Sequence, residues 1–179
     1  MSEIRTNPVT LTQIERFQFK INFSGSNTSV IADEPPPHGK NVGPSPDQLL
    51  CAAVANCTSD ALYSAINRKN PDPTPLTTTA VAVIGRNAEN RLRIQAIEVS
   101  IKLGKTVAEL GDIEQPISVF KNFCTVASSV SQGIPVKLRI TDSEGTILKD
   151  ELEEAQAPEP GEGASCSLGG EGCMCGIAH

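Results

Sequence analysis

Aromatic residues are nearly missing from this chain, which has no Trp, one Tyr and five Phe in 179 residues. Its core must therefore be aliphatic. A basic stripe is missing too. Fifteen Lys and Arg against 21 Asp and Glu leave no electrostatic footprint for nucleic acid. Met1–Pro8 is polar and no apolar run follows it, which speaks against a secretory signal. The most apolar stretch is broken by Asn56 and Asp60, so no uninterrupted run is expected to span a bilayer. The expectation is a cytoplasmic protein with no membrane and no nucleic-acid partner. In that compartment six Cys suggest reactive or metal-binding thiols rather than a disulfide framework.

The net charge of −6 is unevenly placed. Asp150, Glu151, Glu153, Glu154, Glu159, Glu162 and Glu171 face no Lys or Arg in residues 150–179, so the remainder of the chain sits near +1. From Lys149 onward the pattern dissolves into Glu, Ala, Pro and Gly. The expected division is a folded domain over 1–148 and an acidic linker with a Cys-rich tail over 149–179.

Within the body, one stretch dominates. Gly43-Pro44-Ser45-Pro46-Asp47-Gln48 opens a helix with unusually explicit signals. Ser45 is placed to cap, Pro46 suits the first helical position, and Gln48 completes a capping box. Asp47 adds negative charge to the first turn, where the macrodipole favours it. Leu49, Leu50, Val54, Leu62, Ile66 and several alanines then appear on nearly every face, which predicts a helix buried all round.

Around this helix the periodicity turns to two. Arg16–Phe23 alternates, with Phe17, Phe19, Ile21 and Phe23 on one face, and Thr28–Ala32 reads as its returning strand. Leu76–Gly85 and Leu92–Leu103 form a second hairpin about an Asn87–Asn90 turn. Lys105–Leu110, Pro116–Phe123 and Cys124–Gln132 read as helical pieces, and Pro135–Thr141 as the last strand. Hairpins interrupted by helices indicate an α+β fold with an antiparallel sheet and a long central helix.

Two thiols stand out, Cys57 inside the long helix and Cys124 at the start of a short one. A helix N-terminus favours a thiolate, and a peroxidatic mechanism needs a second thiol to condense with a sulfenic acid. Burial without chemistry is the alternative for each. Cys51 lies about 240° round the helix from Cys57 and reads as core. Asp60 reads as an edge or paired acid, and His38 as exposed. In the tail, Cys166, Cys173, Cys175 and His179 offer three soft ligands and an imidazole, a set that suits Zn or Cu. Their spacing matches no zinc finger, and a thiol-exchanging tail is the other reading.

The segment Gly43–Leu50 followed by Ala52-Ala53-Val54-Ala55-Asn56-Cys57-Thr58 resembles the signature helix of the OsmC/Ohr family, the osmotically induced and organic-hydroperoxide-resistance proteins. Phe123-Cys124-Thr125-Val126-Ala127 through Gly133-Ile134-Pro135-Val136 resembles that family's second cysteine segment. The likeness spans about residues 14–148 and is nearest to the OsmC-like branch. It implies an intertwined homodimer acting as a thiol-dependent peroxidase in oxidative stress defence. Cys57 would be the peroxidatic thiol and Cys124 the resolving one, closing a Cys57–Cys124 disulfide. A lipoyl-type dithiol would reopen it, with a hydroperoxide as substrate and no cofactor required. The family's acid, usually Glu, falls on Asp47, and its thiolate-holding Arg on Arg16. Thr125 stands where the family commonly has Pro, and Asn56-Cys57-Thr58 lacks the aromatic typical of the organic-hydroperoxide branch. Asp47 and Cys57 are separated by about 15 Å of rise and roughly 80° of rotation. The acid is therefore expected to serve the thiol of a second subunit. The rival reading is a non-catalytic thiol- or metal-binding protein that uses the tail.

Overall fold

A computed structural model describes residues 4–152. Seven strands and four α-helices follow in the order β1 (Val9–Glu15), β2 (Gln18–Phe23), β3 (Ser29–Ala32), α1 (Pro46–Asn67), β4 (Thr77–Arg86), β5 (Leu92–Lys102), α2 (Val107–Leu110), α3 (Glu114–Val119), α4 (Thr125–Val130), β6 (Val136–Thr141) and β7 (Ile147–Asp150). A 3-10 turn, Phe120–Phe123, joins α3 to Cys124. The α+β class expected from the hairpins and the central helix is the one found.

The strands form two sheets, β1-β2-β3 and β4-β5-β6-β7. The first is antiparallel throughout. The second is not, because β6 runs parallel to β5. A parallel neighbour requires a crossover, and the three short helices between Lys102 and Val136 supply it. The hairpin β4–β5 matches its sequence pattern. Ile97, Val99, Ile101 and Leu103 are all buried, on the face that meets α1.

Strand β1 has no counterpart in the sequence pattern, where Met1–Gln13 reads as polar and as loose at its start. Its apolar side chains Val9, Leu11 and Ile14 change phase at an irregularity between Gln13 and Glu15, which hides the period of two. Strand β7 extends past the expected boundary at 148. Arg139 binds Asp150 at 2.7 Å, and Lys121 binds Glu151 at 2.6 Å, fastening residues 149–151 to the body.

Helix α1 begins as its sequence indicates. The Ser45 backbone N–H donates to Gln48 Oε1 at 3.0 Å, and the Ser45 hydroxyl donates to the Asp47 carboxylate at 2.5 Å. Just before it, a Cβ on Gly43 would lie 1.7 Å from the Ile31 carbonyl oxygen, so only glycine lets the loop pass β3. We expect Gly43→Ala to destabilise the fold by roughly 2 kcal/mol or more, read by urea denaturation.

Burial on α1 corrects the expectation of a helix enclosed on every side. Cys51, Val54, Thr58, Leu62 and Ile66 form one buried stripe at helical spacing, while Ala52, Ala53, Asn56, Asp60 and Ser64 are exposed. Alanine explains the difference. It supports a helix while carrying little apolar area, so five alanines make α1 look more enclosed than it is. Among the described residues α1 is the one helix long and apolar enough, by length and composition, to cross a membrane. Here its buried stripe packs on β4, β5 and the short helices instead. The hydroxyls of Ser59 and Thr78 meet at 2.7 Å, tying α1 to β4. Asn70 beyond its end donates to the Leu110 and Asp112 carbonyls.

The β1-β2-β3 sheet has a different character. Every residue of β1 is exposed, and Val9, Leu11, Ile14, Phe17 and Phe23 leave large apolar surface uncovered.

Candidate active site

Folding brings together the two thiols that lie 67 residues apart. Cys57 sits in the fourth turn of α1, and Cys124 is the N-cap residue of α4. Their sulfurs are 2.9 Å apart. The pair owes its position to small side chains: α1 presents alanine, serine and threonine where α4 (Thr125-Val126-Ala127-Ser128-Ser129-Val130) comes against it.

The two thiols have unlike surroundings. Cys57 is half-buried and opens onto a groove lined by Asn56, Asp60, Ser64, Arg68, Phe123 and Val126. Its sulfur accepts the Val126 backbone N–H at 3.4 Å, a donor that the first turn of α4 leaves free. Cys124, by contrast, is only 2% exposed. Burial pushes its thiol up from the ordinary value, and hydrogen bonding to Cys57 acts in the same direction. The Ala127 N–H and the Thr58 hydroxyl, 3.9 Å from the sulfur, oppose the rise in part. Thr58 is itself buried and held by donating to the Val54 carbonyl at 2.6 Å.

A raised pKa means that the Cys124 thiolate appears only as pH climbs beyond the ordinary thiol range. Alkylation of Cys124 in the reduced native protein is therefore expected to stay slow at neutral pH and to accelerate at alkaline pH. Site-resolved mass spectrometry of N-ethylmaleimide labelling reads that profile. A Cys124 that alkylates at neutral pH as fast as an exposed thiol would contradict it.

The remaining candidates lie elsewhere in the chain. Asp47 lines a separate hollow with Gln48, Cys51, Thr78 and Ala80–Ala82, on the β4 side of α1. Arg16 occupies the turn between β1 and β2 with φ +36°, and its carbonyl accepts from Gln13 at 2.7 Å. It is grouped with Gln18, Asp33, His38 and Lys40 rather than with Cys57. Neither Asp47 nor Arg16 lines the groove of Cys57 in its own chain.

Asp33 organises the proline loop that follows. Its buried carboxylate accepts the backbone N–H groups of Glu34, Lys40 and Val42 and the Gln18 amide. Burial opposes ionisation there, but those donors hold the group below the usual carboxylate range.

Cys51 is in the core cluster, and its thiol is pushed up by burial and then by the Asp47 charge. Asp60 accepts the Asn56 amide at 3.0 Å along the exposed face of α1. His38 packs edge-on against Phe17, with ring centroids 5.7 Å apart. Cys166, Cys173, Cys175 and His179 lie outside the described residues, and among the described residues no group of three His, Cys, Asp or Glu is placed to hold a metal ion.

Sequence reading passed over Arg68 and Phe123. The Arg68 guanidinium lies over the Phe123 ring, 5.4 Å from its centroid, at the far end of the Cys57 groove. A helical stripe was available as a signal, because Ala53, Cys57, Ser64 and Arg68 recur on one face of α1.

Several solved structures share this architecture. One is described as a putative osmotic stress induced and detoxification response protein from Psychrobacter arcticus. It is 24% identical, with a TM-score of 0.60, covering 78% of this chain and 98% of its own. An organic hydroperoxide resistance protein from Elizabethkingia anophelis is 19% identical, with a TM-score of 0.60 and coverage of 79% and 99%. The organic hydroperoxide resistance protein OhrB of Bacillus subtilis is 16% identical, with a TM-score of 0.56 and coverage of 76% and 98%. No curated protein gives a significant sequence match. The model of the OsmC-like protein family matches residues 38–139, more than half of the chain and the span that holds both thiols, and the chain belongs to that family.

Proposed function

We propose that the chain is a thiol-dependent peroxidase that reduces organic hydroperoxides. The observation that carries this reading is the pair of sulfurs 2.9 Å apart, one open to a groove and one enclosed. The Cys57 thiolate attacks the distal oxygen of the hydroperoxide, the O–O bond breaks, and the alkoxide leaves with a proton as the alcohol. Cys57 is then a sulfenic acid. The Cys124 sulfur attacks it, water departs, and a Cys57–Cys124 disulfide forms. A dithiol of lipoyl type returns two electrons and two protons, itself becoming a cyclic disulfide. No step needs a bound cofactor.

The groove suits an organic substrate. Phe123, 60% exposed, and Val126 supply apolar walls, while Asn56, Ser64 and Arg68 supply polar ones. The names of the similar structures point the same way, toward hydroperoxide resistance. Consumption of cumene hydroperoxide with dihydrolipoamide as reductant tests the reading. A purified, fully reduced chain that consumes none overturns it.

A homodimer completes the proposal. The uncovered apolar residues of β1 and its turn, Val9, Leu11, Ile14 and Phe17, give a second copy a surface to bury. A second copy is also the route by which Asp47 or Arg16 reaches Cys57. Mixing Asp47→Ala chains with Cys57→Ser chains tests this. If the acid acts across the interface, each mixed dimer regains one complete site, with about half the activity of the parent dimer. Mixed dimers no more active than their two parents would contradict it.

A further inference from the structure

The two sulfurs of the proposed disulfide border different hollows, and the hollows are not alike. Thiol–disulfide exchange requires the incoming thiolate to lie in line with the bond it breaks, behind the sulfur it attacks. Cys57 lines the open groove of Asn56, Asp60, Ser64 and Arg68. Cys124 borders a small cavity of about 60 Å³, whose walls are Thr58, Phe120, Ala127, Val136 and Leu138 and whose rim is Lys121, Ser128 and Ser131. That space suits a few water molecules rather than the end of an organic thiol. Phe120, Thr58 and Leu138 are at most 1% exposed and fix its floor, and Cys124 itself is only 2% exposed.

We propose that the reducing thiol attacks the Cys57 sulfur alone, so that the reductant is carried as a mixed disulfide on Cys57 and Cys124 is the leaving group. The step balances. The reductant thiolate bonds to Cys57 as the Cys57–Cys124 bond breaks, and Cys124 leaves as a thiolate that takes up a proton. A second thiol on the same reductant then attacks the reductant's own sulfur and expels the Cys57 thiolate. The dithiol is oxidised by two electrons and the protein is reduced by two. Substrate and reductant therefore use one doorway in turn.

One effect runs against this polarity. A buried thiol is a poorer leaving group, and Cys124 is the more enclosed of the two. The burial that weakens Cys124 as a leaving group also keeps an incoming thiolate from its sulfur, which is 2% exposed. The Ala127 N–H also stands at the departing sulfur, easing its charge. Access decides.

The inference rests on the Cys57–Cys124 disulfide of the proposed cycle, and the test makes that bond without the peroxidase reaction. The full chain is oxidised with diamide and exposed briefly to limiting glutathione. It is then acid-quenched, alkylated with N-ethylmaleimide and sequenced by fragmentation mass spectrometry. Glutathione is expected on Cys57 and maleimide on Cys124, in at least about tenfold excess over the reverse. Glutathione on Cys124, or spread equally over the two, overturns the proposal. Where Cys124 recloses the bond before the quench, alkylation rates in the reduced single variants decide. Cys57 in Cys124→Ser must react at least about tenfold faster than Cys124 in Cys57→Ser, and equal rates overturn the proposal. If diamide forms the bond but cumene hydroperoxide does not, the peroxidase reading falls and the polarity of exchange stands.

Discussion

Replacing Cys57 by serine is expected to lower hydroperoxide reduction by about a thousandfold or more while leaving the fold intact. The size of the effect follows from the nucleophile. Sulfur is a soft, strong nucleophile able to attack an O–O bond, whereas a serine hydroxyl is far too weak a nucleophile to do so. Serine keeps the shape of the site, and its oxygen can still accept the Val126 N–H that now meets the sulfur at 3.4 Å. Cys57 is half-buried and lies outside the core cluster, so the change should move stability by no more than about 0.5 kcal/mol. Peroxide consumption under steady-state conditions and a urea curve read the two quantities separately. Activity within tenfold of the parent would remove Cys57 from the chemistry.

Cys124→Ser has a different expected signature. Its first turnover should proceed near the parent rate, because the attack on peroxide belongs to Cys57. Later turnovers should fail. With no thiol 2.9 Å away to condense with it, the sulfenic acid on Cys57 persists and a second hydroperoxide carries it to sulfinic acid. Sustained activity is expected to fall by about a hundredfold, with inactivation in proportion to peroxide added. Stopped-flow consumption of one equivalent, followed by intact mass, separates the first turnover from the rest. A variant that cycles as well as the parent, with no over-oxidation, would show that Cys124 resolves nothing.

Much of the fold was legible because its signals are local. The capping run Ser45-Pro46-Asp47-Gln48 marks the start of α1, and the alternation Ile97, Val99, Ile101 marks the buried face of β5. What escaped depends on distant pairing. The parallel register of β6 on β5 has no signature in Val136–Thr141, which alternates the same way for either direction. Strand β1 is obscured by its own irregularity, and β7 by its place at the edge of an acidic segment.

The candidate site divides along the same line. Cys57 and Cys124 stand out in the sequence as thiols among small residues, and the family resemblance pairs them. The asymmetry between them does not stand out. It arises from Phe120 and Leu138, which wall off Cys124, and from the Arg68–Phe123 stack on the other side. Asp47 and Arg16 show the reverse. Sequence resemblance nominates them, and in a single chain both lie apart from Cys57, which the helix rise foretells for Asp47 and nothing in the sequence foretells for Arg16.

The most direct measurement is disulfide mapping of the reduced full chain after one equivalent of cumene hydroperoxide. One new bond is expected, between Cys57 and Cys124, formed in step with one equivalent of cumyl alcohol and absent from both single serine variants. Alcohol formed while both thiols stay reduced, or Cys57 bonded instead to any of the other four cysteines, would contradict it.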